Sequence, residues 1–309
     1  MKTIDILSVN VSKAKGTVKQ AVPFIQLTET GIEGDAHAGT WHRQVSLLAV
    51  ESIERSAPQG QPAPAYGAYA ENITTRGYPL EKMQPLDRLV SGDVILEVTQ
   101  IGKECHGERC AIFRETGDCI MPREGIFARV IHAGKLAAGD MLVYHPKVLK
   151  AGIITVSDRA SRGEYEDKSG PLLRKLVEEF FSAKDRTIAF NLEIVPDETE
   201  KLKQAVLQCR NDGCDMIFTT GGTGIAPRDI TPETIQPLID KEIPGIMEMI
   251  RVKYGAQFPN ALLSRGIAGV MGKCLVYTLP GSTGGVKDYC TEILHTVEHS
   301  LRMLHGLGH

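Results

Sequence analysis

A glycine cluster between an apolar segment and a helix start constrains this chain more than any other feature. Residues 216–220 begin apolar and end in two threonines, and three of the next four residues, 221–224, are glycines. Arg228 and Asp229 follow, and then Thr-Pro-Glu at residues 231–233, which predicts a helix with the threonine as its N-cap. Glycines at the carboxyl end of a strand let backbone N–H groups approach an anion, and ligands bind at that edge of an open α/β sheet. The cluster therefore predicts an anion-binding loop, with an ordinary strand-to-helix turn as the alternative.

The sequence pattern changes near residues 144–147, and this change predicts two domains. The 309 residues are enough for two hydrophobic cores. Before the change, short glycine-punctuated segments with β-type alternation predict a mostly β barrel, because closure removes exposed strand edges. After it, strands alternate with helices, which predicts an α/β domain with a doubly wound, mostly parallel sheet. We place the domains at residues 1–146 and 147–309.

Local patterns predict three details of the second domain. Residues 151–156 are continuously apolar, as in a parallel strand whose two faces are both covered. A Gly-Lys pair at residues 272–273, between two apolar runs, predicts a hairpin. The spacing of Asp197 and Glu200 predicts a capping box that opens a helix.

Composition and charge argue against several classes of function. The net charge is −3 and aromatic residues make up 6%, so we expect neither a nucleic-acid partner nor an anionic membrane. The first residues lack the apolar segment of a signal peptide, and no apolar run is long enough to span a bilayer. The seven cysteines are odd in number and form no Cys-x-x-Cys pair, which favours free thiols in a reducing compartment. We therefore expect a cytoplasmic protein.

Four loops that each follow a predicted strand would meet at one edge of the second domain's sheet. They are residues 157–163, residues 196–198, the glycine loop and residues 280–282, and they carry backbone donors, arginines and carboxylates. That mixture suits a polyphosphate with a divalent cation, because arginines and N–H groups hold phosphate oxygens while carboxylates hold Mg²⁺. Simpler roles stay open for some of these residues: Asp197 as a helix N-cap, Asp229 and Ser264-Arg265 as turn residues, and Arg159, Arg162, Glu248 and Arg251 as surface charges.

These motifs make the C-terminal domain resemble the molybdopterin adenylyltransferases. The resemblance covers about residues 148–309 and is carried by SDRAS at 157–161, EDKSG at 166–170, VPDE at 195–198, TTGGTG at 219–224, RDITPE at 228–233, PG at 244–245, SR at 264–265 and LPG at 279–281. It implies transfer of an adenylyl group from Mg·ATP to the terminal phosphate of molybdopterin, with release of pyrophosphate, in a protein that is usually trimeric and sometimes hexameric. It also implies that Asp197 and Asp229 are catalytic and hold Mg²⁺. The implied substrate- and phosphate-binding residues are Ser157, Asp158, Arg159, Thr220, Gly221, Gly222, Thr223, Gly224, Arg228, Glu248, Ser264, Arg265, Pro280, Gly281 and Ser282.

The N-terminal domain resembles the MOSC domain found at the C-terminus of molybdenum-cofactor sulfurases. The resemblance covers about residues 28–145 and is carried by GIEGDAHAG at 31–39, RQVSLL at 43–48, ENI at 71–73, GKECH at 102–106 and CAI at 110–112. It implies a β-rich domain that binds the molybdenum cofactor or carries sulfur as a persulfide, through a cysteine thiolate soft enough for either task. Cys110 is the first candidate for that thiol and Cys105 the second, while Cys119 can equally be a small buried residue. His37 beside Asp35 can orient a ligand or be structural.

The two resemblances imply a role in molybdenum cofactor biosynthesis. We expect Mg-ATP-dependent adenylylation of molybdopterin by the C-terminal domain and molybdenum-cofactor binding or sulfur carriage by the N-terminal domain. The expected partners are molybdopterin, ATP, further copies of the chain in a homotrimer through the C-terminal domain, and a molybdenum-insertion protein or molybdoenzymes. The alternatives are a non-catalytic molybdopterin or molybdenum-cofactor binding or storage protein, and another nucleotide-dependent enzyme such as a nucleotide pyrophosphatase.

Overall fold

The protein divides into two compact units, Met1–Lys147 and Val148–His309. A computed structural model describes residues 2–57, 59–104, 112–113 and 119–307. Among those residues, no helix has both the length and the apolar character needed to cross a membrane.

Seven strands in the described part of the N-terminal unit close into a barrel. Strand β1 (Lys2–Val11) pairs antiparallel with β6 (Ile73–Arg76) on one side and with β11 (Met141–His145) on the other, and the pairing with β11 closes the ring. The predicted barrel is therefore confirmed. Between β11 and β6, the ring runs through β7 (Arg88–Ser91), β8 (Val94–Ile101), β9 (Ile126–His132) and β5 (Val45–Ala49).

Alternation along the strands fills the barrel. In β1, Ile4 and Ile6 are buried while Thr3 and Asp5 are exposed, the two-residue period of a strand with one face on the core. The buried side chains join those of the other ring strands in one apolar cluster. Outside the ring lie β2 (Gln20–Val22), a three-stranded sheet of β3 (Phe24–Thr28), β4 (Gly31–Ile32) and β10 (Gly134–Ala137), and the helices α1 (Val50–Ser56) and α2 (Met121–Glu124), with a 3₁₀ turn at Leu80–Lys82.

The C-terminal unit is built on a six-stranded sheet. Strand β12 (Leu149–Val156) pairs in parallel with β13 (Ile188–Val195) and with β14 (Met216–Thr220), and β14 pairs in parallel with β17 (Cys274–Leu279). Strand β16 (Ala268–Met271) and the short β15 (Lys241–Glu242) extend the sheet beyond β17 in antiparallel pairings. Because β12, β13, β14 and β17 are parallel, their carboxyl ends meet at one edge of the sheet.

The hairpin predicted at residues 272–273 is present and joins β16 to β17. Met271 lies opposite Cys274, and Gly272 between them has φ +65°, a left-handed conformation that two-residue hairpin turns favour.

Apolar side chains of β12 alternate between two covered faces of this sheet, which explains the continuous apolar run of the strand. Ala151 and Ile153 join one cluster, and Ile154 and Val156 join another. The first cluster includes residues of α4 (Ser169–Ser182), α7 (Pro244–Gly255) and α8 (Thr283–Leu304), and the second includes residues of α5 (Thr199–Asn211) and α6 (Thr231–Ile235); α3 (Asp158–Ser161) follows β12, and 3₁₀ turns lie at Gln236–Leu238 and Pro259–Leu263.

Two predicted helix caps are wrong. Helix α5 has Glu198 at its N-cap position and no side-chain cap hydrogen bond, so the predicted capping box is absent. Thr231 is the first residue of α6 rather than its N-cap. The physical reason is the same in both cases, since Asp197 and Thr231 hydrogen-bond to neighbouring loops instead of to their own helix.

Candidate functional sites

The glycine loop leaves the carboxyl end of β14 in a conformation that requires glycine. Gly221 has φ +102° and Gly222 has φ +62°, a region that other residues rarely adopt. A Cβ atom on Gly221 would collide with the carbonyl oxygen of Val156, and one on Gly222 would lie 2.5 Å from Oγ1 of Thr231. The close approach of these neighbours explains why the loop contains glycines at these two positions.

Helix α6 fixes the loop through Thr231. Its Oγ1 donates a hydrogen bond to the carbonyl oxygen of Gly221 at 2.8 Å, and its backbone N–H donates one to the carbonyl oxygen of Gly222 at 3.0 Å. Because both carbonyl groups are engaged, the loop is held in one conformation.

Asp197 and Asp158 join the loops that follow β13 and β12 through two reciprocal hydrogen bonds. Oδ2 of Asp197 accepts a hydrogen bond from the backbone N–H of Asp158 at 2.7 Å, and Oδ1 of Asp158 accepts one from the backbone N–H of Asp197 at 3.0 Å. Burial raises the pKa of Asp197, and the negative charges of Asp158 and Asp229 act in the same direction. The hydrogen bond from the backbone N–H of Asp158 and the positive charge of Arg228 oppose this rise. The Asp197 carboxylate thus lies in a negative, half-buried environment suited to a cation.

The predicted catalytic aspartates both lie close to the glycine loop. Oδ1 of Asp197 lies 3.5 Å from the position a Cβ atom would take on Gly222, and Oδ2 of Asp229 lies 2.7 Å from the corresponding position on Gly224. Oδ2 of Asp229 also accepts a hydrogen bond from the backbone N–H of Ala226 at 2.8 Å. The structure therefore brings these two carboxylates to the loop itself.

Asp197 and Asp229 offer the carboxylate oxygens that a magnesium ion prefers as ligands. Within the described residues there is no group of three or more acidic, histidine or cysteine side chains arranged to hold a metal. Mg²⁺ needs no such cage, because it is commonly bound by one or two carboxylates, with substrate phosphates and water completing its octahedron. Burial and the negative charges of Asp158 and Asp229 disfavour the ionised form of Asp197, and a cation bound there would offset that cost.

The predicted phosphate-binding arginines have protein partners. Arg228 pairs with Asp158 through its Nη2 atom, which is 2.6 Å from Oδ2 and 2.7 Å from Oδ1. Arg265 pairs with Glu233 and donates to the carbonyl oxygens of Gly224 at 2.7 Å and Asp229 at 2.9 Å. Arg265 therefore holds the backbone of the glycine loop, and Arg228 holds the loop that follows β12.

A cavity of about 710 Å³ opens beside the glycine loop. Nine of the predicted residues line it: Gly221, Gly222, Thr223, Gly224, Asp229, Ser264, Pro280, Gly281 and Ser282. The other predicted residues, Ser157, Asp158, Arg159, Asp197, Thr220, Arg228, Glu248 and Arg265, do not line it; Arg159 lies over the ring of Tyr165 and Glu248 is exposed on α7.

Sequence reasoning did not identify one wall of this cavity. It consists of Tyr254, Phe258, Asn260, Ala261, Leu263, Gly284, Gly285, Asp288 and Tyr289. The sequence signal that could have indicated this wall is the apolar segment that follows α7. In the described structure its side chains are unusually exposed, with Phe258 62% exposed and Leu263 50% exposed.

Backbone groups, hydroxyls and the Asn260 amide are the hydrogen-bond donors available in the cavity, because its lining within the described residues includes no lysine or arginine. Ser282 caps α8 by accepting a hydrogen bond from the N–H of Gly285 at 3.1 Å. The positive end of this 22-residue helix therefore faces the cavity at Gly284 and Gly285 and favours a negative charge there.

The N-terminal unit has a smaller, basic cavity of about 320 Å³. Lys15, Arg43 and Lys103 line it, and the first two lie over the Trp41 ring at 5.3 and 4.9 Å from its centroid. Nε of Arg43 is buried and has no hydrogen-bond partner among the described residues. The other residues of the lining are Gly16, His37, Ser46, Tyr69, Ala70, Asn72, Ile112, Met121 and Phe127.

A buried ion pair supports one side of this basic cavity. Lys19 and Asp35 pair with both side chains fully buried, and Asp35 also contacts Nδ1 of His37 at 3.3 Å. Burial acts to raise the pKa of Asp35, but hydrogen bonds from His37 and Lys19 outweigh it and hold the pKa below its usual range. His37 is therefore held at the cavity by an ionised carboxylate.

The predicted MOSC thiols, Cys110 and Cys105, lie outside the described residues. Cys119 is described and is 6% exposed.

Comparison with known proteins identifies two matching domains. Residues 152–299 match the family model described as "Probable molybdopterin binding domain", and residues 34–143 match the MOSC domain. A molybdopterin adenylyltransferase of Helicobacter pylori is 33% identical over 161 residues, which are 52% of this chain and 90% of that protein.

Two further similarities each cover about half of the chain. A "Molybdenum cofactor biosynthesis bifunctional protein" of Chlorobaculum tepidum is 33% identical over 177 residues, 57% of this chain and 53% of that protein. The solved "anomalous substructure of MogA" is 35% identical, with a TM-score of 0.47, and the match covers 50% of this chain and 99% of that one. From the match to nearly the whole length of the Helicobacter pylori protein, the chain belongs to the molybdopterin adenylyltransferase family, and it carries a MOSC domain before the probable molybdopterin binding domain.

Proposed function

We propose that the protein acts in molybdenum cofactor biosynthesis and that its C-terminal unit adenylylates molybdopterin with Mg·ATP. The observation that carries this proposal is the position of Asp197 and Asp229 against Gly222 and Gly224. An anion bound by the loop would lie between two carboxylates that can share a cation with it. A phosphate and a divalent cation satisfy that arrangement together.

The proposed reaction joins two phosphates. An oxygen of the terminal phosphate of molybdopterin forms a bond to the α-phosphorus of ATP, and the bond from that phosphorus to the bridging oxygen of the β-phosphate breaks, releasing pyrophosphate. Because the reacting groups are all negative, the main requirements are positioning and neutralisation of charge. Mg²⁺ bound by Asp197 and Asp229 would supply that neutralisation.

The protein groups that bind the pterin phosphate are mostly uncharged in this proposal. The glycine loop, Thr223, Ser264, Ser282 and the amino end of α8 line the cavity, and their N–H and hydroxyl groups would be the donors. Arg228 and Arg265 act indirectly, since their protein partners hold them against the loops. Charge-neutral donors suit a phosphate that must react with another anion, because they orient its oxygens without withdrawing its charge into an ion pair.

The test is incubation of the full chain with molybdopterin and Mg·ATP, followed by measurement of pyrophosphate. We expect release that requires all three components and that matches the adenylyl-molybdopterin formed. Tight binding of molybdopterin without pyrophosphate release would favour the storage protein. Pyrophosphate release in the absence of molybdopterin would favour a nucleotide pyrophosphatase.

For the N-terminal unit we propose binding of the molybdenum cofactor or a related phosphorylated pterin, with sulfur carriage as the second possibility. The supporting observation is the basic cavity, where the buried Nε of Arg43 needs an acceptor and Trp41 offers an aromatic face. Arg43→Ala in the full chain should lower the amount of cofactor retained on gel filtration. Arg76→Ala, an exposed arginine outside the cavity, is the control. Equal retention by both variants would contradict the assignment.

A further inference from the structure

One carboxylate in the larger cavity has no part in the proposed phosphate chemistry. Asp288 lies on α8, lines the cavity and is half-buried. Over the stretch of chain that the structure describes, its carboxylate makes neither an ion pair nor a hydrogen bond. A carboxylate with open acceptor positions in a cavity can accept hydrogen bonds from a ligand that carries donors.

The surroundings of Asp288 favour a flat ligand. The aromatic rings of Tyr254, Phe258 and Tyr289 line the same cavity, and the Phe258 side chain is 62% exposed there. Burial raises the pKa of Tyr254, the hydrogen bond to Glu292 and the charge of Glu292 raise it further, and the negative charge of Asp288 adds a smaller contribution in the same direction. An aromatic surface beside a carboxylate suits a planar heterocycle that carries hydrogen-bond donors on its edge.

We propose that Asp288 selects the pterin by accepting two hydrogen bonds from its amino edge. A pterin has an amino group on C2 and a ring N–H at N3, two adjacent donors that match the two oxygens of a carboxylate. Adenine has a ring acceptor beside its amino group, so it cannot donate twice to the same carboxylate. Guanine shares the pterin edge, and the ring-nitrogen and amino donors are the chemistry common to both.

This inference rests on the proposed function, in which the phosphate of the pterin lies at the glycine loop. It adds the residue that would bind the ring of the same molecule. It adds a specificity-determining residue, on a helix that the sequence motifs do not reach. The ring would contact Asp288 and the aromatic wall, while the phosphate contacts the loop and the amino end of α8.

The test compares two probes, a pterin bearing a 6-alkyl phosphate and the matching lumazine, in which a carbonyl oxygen replaces the 2-amino group. The wild-type chain should bind the pterin about 10- to 100-fold more tightly, the range expected when hydrogen bonds to a charged group are lost. In Asp288→Asn this ratio should fall about tenfold or more, because the amide offers one acceptor and can donate to the lumazine oxygen. Affinities would come from titration of the pterin and lumazine fluorescence.

Three controls separate the outcomes. Glu298→Gln removes the same charge from the same helix outside the cavity and should keep the wild-type ratio. Asp288→Asn should keep the wild-type affinity for pyrophosphate, which lacks a ring.

An unchanged ratio of pterin to lumazine affinity in Asp288→Asn overturns the inference while leaving adenylyl transfer standing. Failure of the wild type to bind either probe overturns both. Tighter, Asp288-dependent binding of guanosine monophosphate than of the pterin phosphate would reassign the ring site to a nucleotide.

Discussion

Tyr289 donates its hydroxyl hydrogen to Oγ of Ser264 at 2.8 Å and thereby limits how Ser264 can donate. Burial raises the pKa of Tyr289, so the phenol stays protonated and remains the donor at neutral pH. With one lone pair of Ser264 engaged, its own hydrogen is left for the cavity or for Oγ1 of Thr223, which is distant at 3.5 Å. This pair therefore presents a serine donor to any anion bound beside the glycine loop.

The first prediction is that Tyr289→Phe weakens binding of the phosphorylated pterin about fivefold. A fivefold loss of affinity corresponds to about 1 kcal/mol, which is the typical contribution of one hydrogen bond. The ring keeps its packing, so the structure should persist. Fluorescence titration of this variant, of Ser264→Ala and of the double variant forms a cycle. If Tyr289 acts through Ser264, its replacement should cost nothing further in the Ser264→Ala background. Additive losses would contradict that coupling.

The second prediction concerns the carboxylates at the loop. Asp197→Asn and Asp229→Asn should each lower turnover about 10²- to 10³-fold, while changing the affinity for molybdopterin much less, because they remove charge stabilisation of the transition state. Pyrophosphate release and pterin titration provide the two measurements. Glu248→Gln, which removes an exposed carboxylate of α7, is a matched comparison. Turnover like that of the wild type in both aspartate variants would exclude them as magnesium ligands.

The third prediction distinguishes the glycine loop from an ordinary turn. Gly222→Val should weaken binding of the phosphorylated pterin, since Gly222 has φ +62° and a side chain would collide with Oγ1 of Thr231. Gly213→Val is the control, because Gly213 also has a positive φ, +76°, but has open space around it and lies outside the cavity. Both variants should lose some thermal stability, and only Gly222→Val should lose pterin binding.

The fourth prediction follows from the raised pKa of Asp197. A carboxylate must be ionised to hold Mg²⁺, so activity should fall as the pH drops through this pKa, at a higher pH than for an ordinary aspartate. The positive charge of Arg228 lowers the pKa of Asp197 and the negative charge of Asp158 raises it. Arg228→Ala should therefore move the acidic limb of the kcat/KM profile to higher pH, and Asp158→Asn should move it to lower pH. Shifts in the same direction would contradict this electrostatic account.

The sequence predicted the elements of the C-terminal site better than their contacts. The glycine loop could be predicted because positive φ angles at Gly221 and Gly222 restrict the residue type locally. The pairing of Arg228 with Asp158 could not, because these residues are 70 positions apart and meet only when β12 and β14 lie side by side. Asp288 is one of many polar residues on an amphipathic helix, and only tertiary packing places it in the cavity.

The last prediction concerns the N-terminal thiol. If this unit ligates molybdenum or carries a persulfide through Cys110, the full chain should retain molybdenum cofactor or persulfide and Cys110→Ser should abolish that loading. Serine has nearly the same size but a harder oxygen that stays protonated at neutral pH, so it supports neither soft-metal ligation nor persulfide formation. Adenylyl transfer should be unaffected, because it belongs to the other unit.

Two further variants complete this experiment, with molybdenum content and persulfide labelling as the readouts. Cys119→Ser should leave loading unchanged, because the Cys119 side chain is 6% exposed and suits packing better than ligand binding. Loss of loading in Cys105→Ser but not in Cys110→Ser would keep the thiolate mechanism and move it to the second candidate. If loading survives in both Cys105→Ser and Cys110→Ser, neither candidate thiolate carries it, and the basic cavity around Arg43 and Trp41 remains to account for the retained cofactor.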